Sequence, residues 1–91
     1  MTEDKLILNN DDKKVVLKAI EEDGYNLRLA SERLKDDEDI VKESIVQDGI
    51  FIEFASERLR DDLEIALLAV EQNGLALGFL SEKMKNTFEV V

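Results

Sequence analysis

The chain is predicted to be all-α, built from three tandem helical hairpins of 25 residues and the start of a fourth, and three observations predict it. Residues 11–35, 36–60 and 61–85 align without a gap as DDKKVVLKAIEEDGYNLRLASERLK, DDEDIVKESIVQDGIFIEFASERLR and DDLEIALLAVEQNGLALGFLSEKMK. The first two copies are identical at 11 of 25 columns and the second and third at 8, where unrelated stretches of this composition agree at about two. Within each copy, apolar residues recur at helical spacing on both sides of an Asp-Gly or Asn-Gly pair.

Taken in order, residues 1–10 form an N-terminal cap segment of a single domain spanning 1–91. Asp36 and Asp61 are expected to be N-caps that accept from the free amides of a first turn, with Asp39 and Glu64 three residues on completing a capping box. Lys14 takes that position in the first copy, so that helix start is expected to be weaker, whereas Asn86 and Glu89 repeat the device. Val15, Val16, Ala19 and Ile20 recur as Ile40, Val41, Ser44 and Ile45 and as Ile65, Ala66, Ala69 and Val70, the inner face of a first helix. Gly24, Gly49 and Gly74 are expected to end it in the left-handed conformation.

A second helix follows, with Leu27, Ala30, Ser31 and Leu34 on one face and the same columns at Ile52, Ala55, Ser56, Leu59 and at Leu77, Leu80, Ser81, Met84. Leu29, Phe54 and Phe79 project from its other side, so this helix is expected to form an inner layer between neighbours. The hairpins stack as a short solenoid or close into a compact six-helix bundle, and the pattern accommodates both. Residues 86–91, NTFEVV, are a partial fourth repeat.

The acidic pair opening each unit, the turns at Asp23-Gly24, Asp48-Gly49 and Asn73-Gly74, and the A-S-E-R-L segments at 30–34 and 55–59 resemble the repeats catalogued as domain of unknown function 4116, found mainly in bacterial proteins. The resemblance covers residues 11–91 and weakens in the third copy at Leu80 and Lys83-Met84. It implies helical repeats. It implies no activity, catalytic residue or cofactor.

Composition narrows the function. Ninety-one residues bound one small domain, and 44% hydrophobic with 37% charged residues describe a soluble folded chain rather than a disordered or membrane-spanning one. Cysteine, histidine, tryptophan and proline are absent, which removes disulfides, imidazole chemistry and the usual zinc sites. The N-terminus MTEDKLILNN carries acids where a targeting peptide carries bases, so a reducing, cytoplasmic setting is expected. A net charge of −10 repels phosphate backbones, and direct nucleic-acid binding is not expected.

Each candidate site also has a structural use. The cluster Asp36–Asp39 lacks the alternation, glycine and closing glutamate of a calcium loop, and capping accounts for acids that open every unit. Ser31, Ser56 and Ser81 have no histidine to activate them; their small size suits close helix approach, with the hydroxyl bonding a carbonyl one turn back. The cations Arg33, Arg58, Lys83 and Lys35, Arg60, Lys85 end each second helix and are expected to neutralise the acidic pair of the following unit.

Where the copies differ, surfaces emerge. The three units carry charges of 0, −5 and −3, and Asp36, Asp37, Glu38, Asp39, Glu43, Glu53 and Glu71 form a candidate acidic face. Leu67 and Leu68 stand where earlier units have Leu17-Lys18 and Lys42-Glu43, and Phe51 stands where the first has Asn26. With Phe88, Val90 and Val91 they make a candidate partner surface; the terminal residues either pack back over Leu67 and Leu68 or form an adhesive edge, through which the chain homo-oligomerises or holds another protein. The leading expectation is a non-enzymatic protein–protein interaction module with an unidentified protein as partner and no cofactor, metal or membrane contact. The alternatives are a small acidic inhibitor, phage-encoded in one version, that imitates nucleic acid before a nucleic-acid-binding protein, and a fragment of a longer repeat array.

Overall fold

Polar side chains set the helix boundaries, one column later than the spacing suggests. The computed structural model describes residues 3–89. A short helix α1 (Glu3–Leu8) leads to α2 (Lys13–Glu22), a 3₁₀ helix (Gly24–Leu29) and α3 (Glu32–Lys35). The second unit repeats the series as α4 (Glu38–Ile45), a 3₁₀ helix (Gly49–Phe54) and α5 (Glu57–Arg60). The third has α6 (Leu63–Gln72), a 3₁₀ helix (Gly74–Phe79) and α7 (Glu82–Glu89). Among the described residues there is no strand, so the fold is all-α.

The caps of α2, α4 and α6 are Asp12, Asp37 and Asp62, not Asp36 and Asp61. Asp12 caps α2 as Asp37 caps α4, so the first helix start is not the weaker one predicted from Lys14. The preceding Asp of each pair has another use. Asp36 accepts from the Ser56 hydroxyl at 2.6 Å and from Arg58 Nε at 2.8 Å, while its carbonyl accepts from Arg58 Nη2 at 2.8 Å. Asp11 does the same with Ser31 and Arg33. In the third unit Asp61 accepts from Ser81 at 2.6 Å, but Lys83 replaces the arginine. Arg33 and Arg58 therefore bind the acid that opens their own unit, not the following one. The serines are N-caps of the short helices, each hydroxyl accepting from the amide three residues on.

The predicted second helix is two pieces. Ala30 and Ser31 are extended, with ψ of 158° and 161°, which separates the 3₁₀ turn from α3; Ala55-Ser56 repeats the break. A serine that caps forward and bonds back to Asp11 cannot also continue a helix. At the end of the chain the pattern changes again: Asn86, expected to open a fourth unit, lies inside α7.

The turn glycines are not left-handed. Among the described residues no φ is positive; α2 ends because Asp23 is extended (φ −160°, ψ 111°), and its carboxylate caps the 3₁₀ helix at the Tyr25 amide. Asp48 and Asn73 repeat this. What requires glycine at 49 is space. A Cβ there would sit 1.9 Å from the Ala69 carbonyl oxygen, whereas at Gly74 it would meet nothing within 4 Å.

The core follows the predicted columns. Val16, Ile20, Leu27, Leu34, Ile40, Val41, Ile45, Ile52 and Leu59 are fully buried, each such side chain contributing about 1.5–3 kcal/mol. Leu29, Phe54 and Phe79 are half-buried against it. Helix α2 packs on α4 and α4 on α6, successive 3₁₀ helices pack on one another, and α1 covers the first unit through buried Leu6. The extents of 44 × 20 × 16 Å describe a stack lengthened in one direction.

Candidate interaction surface

Each unit reaches its successor through ion pairs, polar bonds and close packing, not all in the same columns. Lys13 on α2 pairs with Asp37 at 3.0 Å and Asp39 at 3.2 Å, and Lys42 on α4 pairs with Glu64 at 2.9 Å. The Gly24 carbonyl accepts from the buried Ser44 hydroxyl at 2.7 Å, and the Gly24 amide donates to Gln47 Oε1 at 2.7 Å. Gln47 Nε2 donates to the Ile20 carbonyl at 2.6 Å. Tyr25, with the Arg28 guanidinium over its ring, packs tilted against Phe51 and edge-on against Phe54 at centroid distances of 6.1 and 5.6 Å. Between the second and third units, Gly49 lies against Ala69 and Asn73 Nδ2 donates to Asp48 at 2.9 Å.

In the third unit the same columns have no successor among the described residues. Leu63 and Leu67 hold the places of Lys13 and Lys42 and are 55% and 44% exposed; Leu75, in the Tyr25 column, is 76% exposed. Val70 and Leu77 are half-buried, although Ile20, Ile45, Leu27 and Ile52 in the same columns are sealed. A Cβ at Gly74 or Gly78 would meet open space. The result is a trailing face with an apolar centre.

This face contains part of the predicted partner surface. Leu67 belongs to it. Leu68 and Phe88 are half-buried and pack against the core. Phe51 is occupied by Tyr25, by Phe54 and by its place over Gly24. Val90 and Val91 lie outside the described residues. Leu63 and Leu75 were missed; a signal existed for Leu63, which replaces Lys13 and Glu38 in a charged column, but not for Leu75, whose column already holds Tyr25 and Ile50.

The predicted acidic face divides in two. Asp36 is bound by Ser56 and Arg58, which hold its carboxyl below the usual range; Ser31 and Arg33 do the same for Asp11. Burial pushes the Asp37 carboxyl up, but the Lys13 ammonium and the Ile40 and Asp39 amides outweigh it, so Asp37 also titrates low. Asp37 and Asp39 together raise the Lys13 pKa, and Glu64 raises that of Lys42. Glu38, Glu43, Glu53 and Glu71 are exposed. No group of three or more acids is placed to hold a metal ion among the described residues. A cleft of about 430 Å³ between α2 and α4 is lined by Lys13, Leu17, Asp39, Lys42, Glu43 and Val46. Among the described residues no helix is long and apolar enough to cross a membrane.

A stack of such units, each tied by Asp and Ser, two of them also by Arg, and each turned at an Asx-Gly pair, defines the class to which the chain belongs. The family described as Domain of unknown function (DUF4116) matches residues 12–60 and again 39–85, two overlapping stretches that each span about two units. The chain belongs to that family. No curated protein and no solved structure matches it.

Proposed function

We propose that the chain is a non-enzymatic protein–protein interaction module, a short acidic solenoid of helical repeats that presents its trailing face to another protein in a reducing, cytoplasmic compartment. The observation that carries this reading is the exposure of Leu63, Leu67 and Leu75 on one face, where Leu17 and Lys42 in the column of Leu67, and Ile50 in that of Leu75, are half-buried. An exposed apolar face of this kind marks a contact surface. The aspartates that open the units and Ser31, Ser56 and Ser81 are engaged in caps and ties. Affinity capture from cells of the source organism, with the wild-type chain and a Leu67→Glu, Leu75→Glu variant compared by quantitative mass spectrometry, tests it. Partners held by the wild type and lost by the variant are expected; an identical set from both would refute the assignment.

The exposed Glu38, Glu43, Glu53 and Glu71 favour a second reading, an acidic inhibitor of a nucleic-acid-binding protein. It draws less support, because Asp36, Asp37 and Asp39 have cationic partners within the fold. Binding of that kind weakens steeply with salt, whereas capture through leucines does not.

A further inference from the structure

We infer that the trailing face is a self-association surface, on which a second copy of this chain docks tail to tail around a two-fold axis. The inference rests on the interaction-module reading and names the partner. The face continues an interface the molecule already forms twice, so its shape suits a helical layer. Its chemistry, however, no longer suits an ordinary successor. Within the chain a cation on the trailing side, Lys13 or Lys42, meets an acid on the leading side, Asp37, Asp39 or Glu64. At the tail both cation positions are leucine, so a leading edge of that acidic kind would bury its carboxylates against leucines with no counter-charge.

The chain's own head exposes Ile7 and Leu8 on α1, yet it mixes them with charge. There Lys14 stands in the column of Asp39 and Glu64, and α1, which brings Glu3, Asp4 and Lys5, already lies over the first unit. Leucine facing leucine satisfies the tail without an unpaired charge. Leu63, Leu67, Val70, Gly74, Leu75 and Leu77 include no ionisable group, so two tails meet without like-charge conflict at the centre. A single self-complementary patch also closes at two copies, where head-to-tail contact would propagate.

Sedimentation equilibrium of the full chain from micromolar to millimolar concentration tests the inference. A monomer–dimer equilibrium is expected, strengthened by added salt because each copy carries a charge of −10. Leu67→Glu and Leu75→Glu, at exposed positions, should each weaken the dimer about a hundredfold, because a two-fold interface meets every substitution twice. Leu8→Glu, on the 85% exposed head residue, should leave it unchanged, and far-UV circular dichroism verifies that all variants are folded. A chain that stays monomeric, a dimer broken by Leu8→Glu alone, or species that grow beyond two copies would overturn the inference. Monomers that still lose captured partners on Leu67→Glu would leave the interaction-module reading standing without the dimer. Dimers that capture nothing else would do the reverse.

Discussion

Alanine placed in turn at Gly24, Gly49 and Gly74 should have three different effects, though the three positions are one column of the repeat. At Gly49 the new Cβ falls 1.9 Å from the Ala69 carbonyl oxygen, 2.8 Å from its carbon and 3.1 Å from the Asn73 amide nitrogen. Relief to even a tight contact requires α6 to retreat by about 1 Å, because helix backbone cannot rotate aside as a side chain does. That retreat pulls on the 2.9 Å bond from Asn73 to Asp48. Overpacking of a core by a methyl group costs about 1–3 kcal/mol, and a backbone obstruction places Gly49→Ala at the upper end, about 3 kcal/mol. For a domain of this size that lowers the melting temperature by about 12–24 °C. Gly24→Ala meets Gln47 Oε1 and Phe51 Cδ2 at 3.0 Å, side-chain atoms that yield, and should cost about 1 kcal/mol. Gly74→Ala meets nothing and has no positive φ to oppose it, so it should stabilise by about 0.4–1 kcal/mol through the unfolded chain. Urea denaturation followed by circular dichroism measures all three. Equal losses, or the largest loss at Gly74, would refute close approach as the reason for glycine.

Three further outcomes follow from the ties. Ser44→Ala removes the hydroxyl bonded to the Gly24 carbonyl in a fully buried place and should cost about 1–3 kcal/mol in the same denaturation assay. Asp11 and Asp36 have folded pKa values below their unfolded ones; their stabilisation is therefore present above the unfolded carboxylate range, about pH 4, and is lost as pH falls through the lowered folded values. Melting temperatures across acidic pH should show Asp36→Asn less stable than wild type near neutrality and the gap closing in strong acid; a constant gap would count against the tie. Lys83→Arg restores at Asp61 the fork that Arg33 and Arg58 give Asp11 and Asp36, and should raise the melting temperature by a few degrees.

Repetition made the all-α fold and most of the core legible, since Val16, Val41 and Ala66, or Leu34, Leu59 and Met84, are buried alike where the columns align. The finer geometry was not legible because adjacent residues compete for the same role. Asp36 and Asp37 are equally good caps by type; a serine 20 residues and an arginine 22 residues downstream decide which one caps. Ser56 suits a helix interior or a helix start, and only its bond to Asp36 shows that it starts one. Glycine after Asp suggests a left-handed turn, yet the demand at Gly49 comes from Ala69, in another unit. Of the candidate surface, Leu67 was read from its own column, while Leu63 and Leu75 needed the knowledge that their columns point at the next layer.

The Asp, Ser and Arg ties join residues 20 and 22 apart, within a period of 25. A cut between residues 35 and 36, or between 60 and 61, therefore severs none of them. Tandem gene duplication at those boundaries inserts a layer that arrives already fastened to itself, so copy number can grow without redesign of what is already present. A layer fastened this way is free to vary on its outer columns, as the third unit does where Leu63 stands in the column of Lys13 and Glu38.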